Sequence, residues 1–288
     1  MKLTPTTTRT LNNGVKDPLM GFGLYQTPKE TAGTIVYEAL KAGYRRIDSA
    51  EMYENEAESV EGIAKFLKDY PQVSRSDIFY TTKLNINVHG TEISRKAIQE
   101  SLDKAKSIGY VDLFLIHQPV SGTEKRLQAY GALQEFYEAK KIRAIGVSNY
   151  SIKHLEELFN WEGYKVKPAV NQIEASPWLT RKDLHAYCDK EGIAVETFSP
   201  ITRGRKLGDP NVAKVLKNHP GHTAAQVLLR WQLQMGFLPA VKTVHKERLA
   251  ENLGAFDLEL SEDEMNTLTN HEDHFLAQPG FDPVTKCD

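Results

Sequence analysis

The feature that most limits how this chain can fold is a recurring unit, in which an amphipathic helix stops at glycine or a lysine pair and a short apolar run follows at once. The junctions read KAGYRRIDSA, SIGYVDLFLIH, AKKIRAIGVSN and KEGIAVETFSP. Glycine supplies the left-handed residue that ends many helices, and β-branched and aromatic residues are typical of buried strands. The sequence therefore alternates helix and strand, as parallel α/β folds do.

The number and spacing of the apolar runs indicate which parallel fold this is. Most runs are about 30 residues apart, the length of a strand and its crossover helix. They lie near Met20, Ile47, Phe79, Phe114, Ile145, Val170, Val195 and Val241. Eight such units predict a closed (β/α)8 barrel, the TIM barrel. An open doubly wound sheet is the alternative, but GFGLYQ lacks the third glycine of the nucleotide-binding turn typical of that fold.

Segments outside the repeat predict additions to the barrel. Asn13-Gly14 is a hairpin signal, so we expect a small β-hairpin before the first barrel strand. The long gap between the seventh and eighth runs leaves room for an extra loop or a short helix. Capping-box spacing marks three helix starts: Thr27 with Glu30, Thr223 with Gln226, and Ser261 with Glu264. No proline-rich linker or low-complexity tract divides the chain, and we expect one domain over residues 1–288.

Charge and cysteine content exclude several classes of function. The 36 basic and 38 acidic residues leave a formal charge of -2, which creates no broad field for nucleic acid or anionic membranes. The chain has no run of ~18 apolar residues and no signal-peptide h-region at its start. Cys188 and Cys287 are far apart and fit a reducing compartment. We therefore expect a soluble, cytoplasmic protein. We also expect no metal site, because the two histidine pairs, His219 with His222 and His271 with His274, lack further ligands.

Polar residues close several apolar strands, at the end of the barrel where chemistry occurs in this fold. Strand two ends at Asp48, strand three reaches Lys83, strand four ends at His117, and Tyr53 follows strand two in its loop. A buried Asp48 would keep Lys83 charged, and that cation would lower the pKa of Tyr53 from ~10. Such a tyrosine could act as a general acid while His117 orients a carbonyl oxygen.

Each of these residues also has a purely structural interpretation. Asp48 could cap the next helix, Tyr53 could pack, Lys83 could be solvated, and His117 could be a hydrogen-bonded core histidine. Their combination favours function, because a buried lysine and aspartate on adjacent strand ends are costly unless they pair.

A second polar set lies on the later strands. Amides and hydroxyls suited to an uncharged carboxamide come from strands five and six: Ser148, Asn149, Asn171, Gln172 and Glu174. Phe198 ends strand seven and offers a flat face. After strand eight, a donor cluster suits a phosphate monoester: Lys242, Thr243, His245 and Arg248.

Taken together, these motifs resemble the aldo-keto reductase family over nearly the whole chain. The residues that carry the resemblance are GYRRIDSAEMYENE, TTKL, DLFLIHQP, IRAIGVSNY, NQIE, TFSP and VKTVHKERLAEN, in family order. The resemblance implies a (β/α)8 reductase that binds NADPH across the barrel mouth and acts on a small carbonyl substrate. It also implies a catalytic tetrad of Asp48, Tyr53, Lys83 and His117.

The resemblance further implies the cofactor contacts. The nicotinamide end is assigned to Ser148, Asn149, Gln172, Phe198 and Ser199, and the 2′-phosphate and adenine end to Lys242, Thr243, Arg248, Glu251 and Asn252. Phe198 stands where the family usually has tyrosine, and it keeps the aromatic face. His245 is less usual in its position, so NADH stays a weaker alternative to NADPH.

Departures from the family pattern bear on the substrate. Tyr25, Asn85 and Gln118 stand where many members carry a pocket tryptophan, so we expect a more polar and roomier pocket. Short loops favour small aldehydes, ketones, dicarbonyls or keto esters over large flat substrates, and the likeness favours a monomer. Two other functions stay open at this point: a non-catalytic or regulatory NADPH-binding protein of the same fold, and a lyase or isomerase that uses Lys83 to form an imine.

Overall fold

Eight parallel strands close into a barrel in a computed structural model that describes residues 3–269 and 273–286. The strand order follows the chain, and the last strand pairs with the first. The barrel strands are β3 (Gly21–Gly23), β4 (Arg46–Asp48), β5 (Phe79–Leu84), β6 (Val111–Ile116), β7 (Ile142–Ser148), β8 (Val170–Glu174), β9 (Ala194–Phe198) and β10 (Leu238–Val241). Each predicted apolar run supplies one of them, so the (β/α)8 prediction is confirmed.

Helices follow the strands and cover the outside of the barrel. They are α1 (Lys29–Ala42), α2 (Glu56–Asp69), α3 (Thr91–Lys104), α4 (Thr123–Glu138), α5 (Ile152–Phe159), α6 (Lys182–Glu191), α7 (Pro210–Leu216), α8 (Ala224–Gln234), α9 (Glu247–Leu253) and α10 (Glu262–Thr269). Helix α7 occupies the long gap between the seventh and eighth barrel strands, as expected. Within the described part of the chain, no helix is both long enough and apolar enough to cross a membrane.

A two-stranded hairpin closes the N-terminal end of the barrel. Strands β1 (Thr8–Thr10) and β2 (Lys16–Pro18) pair antiparallel around Asn13-Gly14, which confirms the predicted hairpin. Leu11 of the turn packs with the barrel residues Phe79, Leu113 and Leu238 in one buried cluster. The C-terminal ends of the strands are therefore left as the mouth.

Two of the three predicted capping boxes form. Thr223 with Gln226 and Ser261 with Glu264 exchange side-chain and backbone hydrogen bonds. The box predicted for Thr27 with Glu30 is wrong, since Pro28 is the residue before α1 and Thr27 lies one position too early to cap it. In the described structure the Thr27 hydroxyl is buried without a hydrogen-bond partner.

Helices α1 and α2 approach each other through paired glycines. A β-carbon on Gly62 would lie 2.5 Å from the carbonyl oxygen of Gly33, and one on Gly33 would lie 2.9 Å from that of Glu58. Both obstacles are backbone atoms, which cannot swing aside as a side chain does. The close packing of these two helices therefore requires glycine at both positions.

We predict that Gly62→Ala destabilises the fold although alanine is the better helix former. The added methyl group must force the helices apart, and overpacking of this kind costs about 1–3 kcal/mol. Urea denaturation at pH 7 should show a lower midpoint than wild type. Gly208→Ala is the matched control, because a β-carbon there meets nothing within 4 Å. Equal midpoints for the two variants would contradict the steric argument.

Candidate active site

Asp48 and Lys83 form a buried ion pair just below the barrel mouth. Strands β4 and β5 place Asp48 opposite Thr81, so Lys83, two residues later, has its side chain on the same inner face. Lys83 Nζ donates hydrogen bonds to Asp48 Oδ1 at 2.6 Å, to the Ser49 carbonyl oxygen at 2.9 Å and to the Tyr53 hydroxyl at 3.3 Å. These three acceptors match the three hydrogens of an ammonium group.

Tyr53 and His117 complete the cluster from neighbouring loops. Tyr53 ends a 3-10 helix (Glu51–Tyr53) that follows β4, and its ring meets that of His117 edge-on with 5.6 Å between centroids. The His117 backbone amide continues the pairing of β5 and β6 by donating to the Leu84 carbonyl oxygen at 3.1 Å. The four residues assigned to the tetrad are therefore brought together at one place.

A cavity of about 570 Å³ opens over this cluster. It gathers most of the predicted site residues: Tyr25, Asp48, Tyr53, His117, Gln118, Ser148, Asn149, Gln172, Phe198, Ser199, Lys242 and Arg248. Lys242 and Arg248 lie after β10 and bring positive charge to the wall. One cavity thus combines an acid-base cluster, a flat aromatic face and a cationic end.

Comparisons with known proteins agree with this arrangement. Residues 19–273 match the Aldo/keto reductase family. The chain is 43% identical over 269 residues to an uncharacterized oxidoreductase, YJR096W, of Saccharomyces cerevisiae, an alignment that covers 92% of this chain and 94% of the relative. It is 38% identical over 259 residues to a glyoxal reductase of Bacillus subtilis, with 90% of each chain covered.

A solved structure of similar shape is the apo form of Gox0644, with a TM-score of 0.87, 34% identity and coverage of 98% of this chain and 99% of that one. The chain belongs to the aldo/keto reductase family. It is therefore an NAD(P)H-dependent oxidoreductase of a family that reduces carbonyl groups.

Five predicted site residues of the reductase do not line the cavity. Lys83 lies beneath Asp48 and has no exposed surface. The Asn85 side chain accepts a hydrogen bond from the Asn87 amide and so caps the short 3-10 helix Ile86–Val88. The Thr243 hydroxyl accepts a hydrogen bond from the His245 amide at 3.0 Å. The remaining two, Glu251 and Asn252, lie on α9.

The pKa of Lys83 agrees with the sequence-based expectation, whereas the pKa of Tyr53 does not. Burial alone would lower the pKa of Lys83, but the contacts with Asp48 and Tyr53 outweigh it and raise the pKa. Burial raises the pKa of Tyr53 more than the Lys83 charge lowers it, so the expected net decrease is wrong. Both groups therefore carry their protons at neutral pH.

His117 is held neutral by its surroundings. Burial, with the nearby charge of Lys83 and the ring of His89, lowers its pKa well below the usual 6.5. Among the residues that the structure describes, none is hydrogen-bonded to the buried His117 Nδ1. A neutral imidazole carries one N–H, which is the group that can orient a carbonyl oxygen.

The second polar set forms a hydrogen-bonded rim beside the tetrad. Asn149 adopts a left-handed conformation at φ 64°, and its Nδ2 donates to the His117 carbonyl oxygen at 3.0 Å. Its Oδ1 is buried and accepts no hydrogen bond from the described residues. Ser148 Oγ donates to the Gln172 carbonyl oxygen at 2.7 Å. An orphaned buried acceptor beside donors fits a carboxamide such as that of nicotinamide.

Several residues of the cavity were missed by the sequence analysis. The Arg203 guanidinium lies over the Tyr25 ring at 5.4 Å and donates to Gln278 Oε1 at 3.2 Å, so it joins two walls of the mouth. Phe281 and Pro283 of the C-terminal segment also line the cavity. The basic run ITRGRK, which begins three residues after the end of β9, could have indicated Arg203. The C-terminal segment has no periodic pattern that could have indicated Phe281 or Pro283.

Cys188 and the pair His219 with His222 do not line the cavity. Cys188 is buried in α6, and burial raises the pKa of its thiol to about 12. Within residues 3–269 and 273–286 there is no group of three or more His, Cys, Asp or Glu side chains that could hold a metal ion. His271 and Cys287 lie outside the described residues, and the absence of a metal stays a prediction.

We predict that His89 makes the fold less stable in acid. Burial lowers the pKa of His89 to about 4, while an unfolded histidine titrates near 6.5. The unfolded chain therefore binds this proton first, and the free energy of unfolding falls as pH decreases from 6.5 to 4, by about 3 kcal/mol from this residue.

Urea denaturation from pH 7 to pH 4 tests this on His89→Gln, which can keep the hydrogen bond to Ser121 Oγ, 2.7 Å from His89 Nδ1. The variant should lose less stability than wild type over this range. Parallel curves for the two proteins would contradict the prediction.

Proposed function

We propose that the protein reduces small aldehydes, ketones, dicarbonyls or keto esters to alcohols with NADPH as the cofactor. The observation that carries this proposal is the position of the Tyr53 hydroxyl, 3.3 Å from Lys83 Nζ and on the cavity wall beside His117. A protonated phenol, a fixed cation and a neutral imidazole around one cavity fit the transfer of a proton to a carbonyl oxygen.

In this mechanism each residue of the cluster has a separate task. The bound cofactor supplies a hydride to the carbonyl carbon. Tyr53 donates its proton to the carbonyl oxygen, and His117 donates a hydrogen bond that orients that oxygen. Lys83 stabilises the phenolate left on Tyr53, while Asp48 keeps Lys83 charged and in place. The raised pKa of Tyr53 agrees with this, because a proton donor must hold its proton until the hydride moves.

The rim and the cationic wall support the choice of cofactor. The buried Asn149 Oδ1 can accept the carboxamide N–H of nicotinamide, with Ser148 and Gln172 beside it, and Phe198 offers the ring a flat face next to Ser199. Lys242 and Arg248 suit the 2′-phosphate of NADPH. The roles of Thr243, Glu251 and Asn252 stay predictions.

Small substrates suit the room that the cavity leaves. The nicotinamide would occupy part of the 570 Å³, and the remaining wall includes the polar groups of Tyr25 and Gln118. The glyoxal reductase of Bacillus subtilis, 38% identical, further supports a dicarbonyl. An imine on Lys83 is disfavoured, since its side chain has no exposed surface and its three hydrogens are engaged. The monomeric state, the cytoplasmic location and the single-domain organisation stay predictions.

We predict that Tyr53→Phe lowers kcat by roughly 100- to 10,000-fold, because the variant keeps the ring and loses the proton donor. NADPH affinity should change by less than about fivefold, since Tyr53 is not assigned to cofactor binding and one neutral hydrogen bond contributes only ~1 kcal/mol. The assay follows loss of NADPH absorbance with glyoxal as substrate.

Tyr70→Phe is the control for Tyr53→Phe, because Tyr70 packs on Phe66 at the end of α2, away from the cavity. Wild-type turnover by Tyr53→Phe would refute the donor role. Tight NADPH binding without turnover of any carbonyl by the wild-type protein would favour the non-catalytic alternative.

We predict that Lys242→Ala weakens NADPH binding by roughly tenfold and leaves NADH binding nearly unchanged, because only NADPH carries the 2′-phosphate. Fluorescence titration with each nucleotide measures both dissociation constants. Lys246→Ala is the matched control, as Lys246 pairs with Glu38 at 3.3 Å on the exposed surface. An equal loss for both nucleotides would show that Lys242 does not read the 2′-phosphate.

A further inference from the structure

A second group of charges lies inside the barrel, beneath the tetrad. Arg46 shares the inner face of β4 with Asp48, and its Nη1 lies 3.2 Å from both oxygens of Asp17 in β2 and 3.0 Å from Glu196 Oε1 in β9. Its Nη2 donates to the carbonyl oxygens of Leu238 and Pro239. The side chains of Arg46, Asp17 and Glu196 have no exposed surface.

A neighbouring barrel strand leaves space for the Arg46 guanidinium. A β-carbon on Gly21 would lie 2.3 Å from Arg46 Nε, so glycine at that position of β3 makes room for the side chain. Charges buried this deeply are costly unless they are paired. The charge cluster is therefore a defined feature of the barrel interior.

Gln172 connects this cluster with the tetrad. Its Nε2 donates to Glu196 Oε2 at 2.6 Å and to Asp48 Oδ2 at 2.8 Å. An amide nitrogen has two hydrogens, and here each goes to a different carboxylate. Because ionised carboxylates only accept hydrogen bonds, the nitrogen of this amide must face them, and its oxygen must point the other way. Gln172 lines the cavity, so that oxygen is on the cavity side.

Carboxyl groups outnumber cations among these interior side chains. Three buried carboxylates accompany the two buried cations Arg46 and Lys83. Burial raises the pKa of Asp17 well above its usual value despite Arg46, and the neighbouring Glu196 raises it further. Asp17 lies at the end of the cluster that is remote from Gln172, where both of its oxygens contact Arg46 Nη1.

We propose that Glu196 is a positioning residue of the active site, which fixes the Gln172 amide with its oxygen towards the cavity as an acceptor for the nicotinamide carboxamide. This inference rests on the proposed function, because it assigns Glu196 a task in binding the nicotinamide end of the cofactor. Glu196 acts only through Gln172 and does not itself line the cavity.

Glutamine in place of Glu196 cannot perform this task beside Arg46. Glutamate presents one oxygen to Arg46 and the other to Gln172. Glutamine has a single amide oxygen, so its nitrogen must face either the guanidinium or the Gln172 nitrogen, and both are donors. The Arg46 charge should capture the oxygen, which leaves the Gln172 amide free to turn over.

The experiment compares two ligands on Glu196→Gln: NADPH and adenosine 2′,5′-bisphosphate, which keeps the phosphate end and lacks nicotinamide. We expect the Kd of NADPH, measured by fluorescence quenching, to rise about 5- to 10-fold, as loss of one hydrogen bond implies. The Kd of the bisphosphate, measured by calorimetry, should stay within about twofold. A merely structural role for Glu196 would weaken both ligands together.

Two further variants sharpen the test. Asp17→Asn is the matched control, because it alters the same buried cluster at a residue that makes no hydrogen bond to Gln172. Both dissociation constants should match wild type. The double variant Arg46→Met with Glu196→Gln removes the competing cation, so the new amide oxygen can serve Gln172. It should recover most of the NADPH affinity, because no cation then competes with Gln172 for that oxygen.

The outcomes separate this inference from the proposed function. Wild-type protein that fails to bind NADPH refutes both. Wild-type protein that binds NADPH, with Glu196→Gln binding it equally well or losing both ligands to the same extent, refutes the positioning role alone. Should Glu196→Gln not fold, the double variant is compared with Asp17→Asn instead. NADPH affinity within about twofold of wild type in both variants supports the positioning role. A selective loss of NADPH affinity in the double variant refutes it.

Discussion

The buried contact between Lys83 and Asp48 is the interaction on which the rest of the site depends. Removing two charges from water costs several kcal/mol per ion, and only close pairing with further hydrogen bonds offsets that cost. Ser49 and Tyr53 take the remaining hydrogens of Lys83, and Gln172 donates to the second oxygen of Asp48. Tyr53 is thus held beside the ion pair because its hydroxyl accepts a hydrogen bond from Lys83.

The barrel determines where this pair lies. Parallel strands point their C-terminal ends to one side, so residues that end β4, β5 and β6 must converge, and the hairpin around Leu11 packs against the opposite end. His117 and Asn149 each come directly after a barrel strand, so both lie at the same end of the barrel. The site is accordingly built on the strands and on residues that follow them.

Sequence reasoning recovered the features that depend on strand position and missed those that depend on contacts across the barrel. The convergence of Asp48, Lys83 and His117 was predictable because each stands at or next to the end of an apolar strand, while their catalytic roles stay predictions. Glu196 was hidden in the apolar run IAVETF, since nothing local shows that it meets Arg46 from another strand. The pKa of Tyr53 depends on its degree of burial, which periodicity does not give. Asn85 was placed by likeness, whereas its side chain serves a local cap.

The interior charges also limit the order in which this sequence can change. Loss of Arg46 alone would leave Glu196 buried without its cation, and a side chain at Gly21 would collide with the guanidinium before Arg46 was gone. Burial raises the pKa of Asp17 well above its usual value, so Asp17 is the member at which a neutral side chain is tolerated most easily. A change from this charged interior to an apolar one would therefore need coupled substitutions, in which each step is tolerated only after another has occurred.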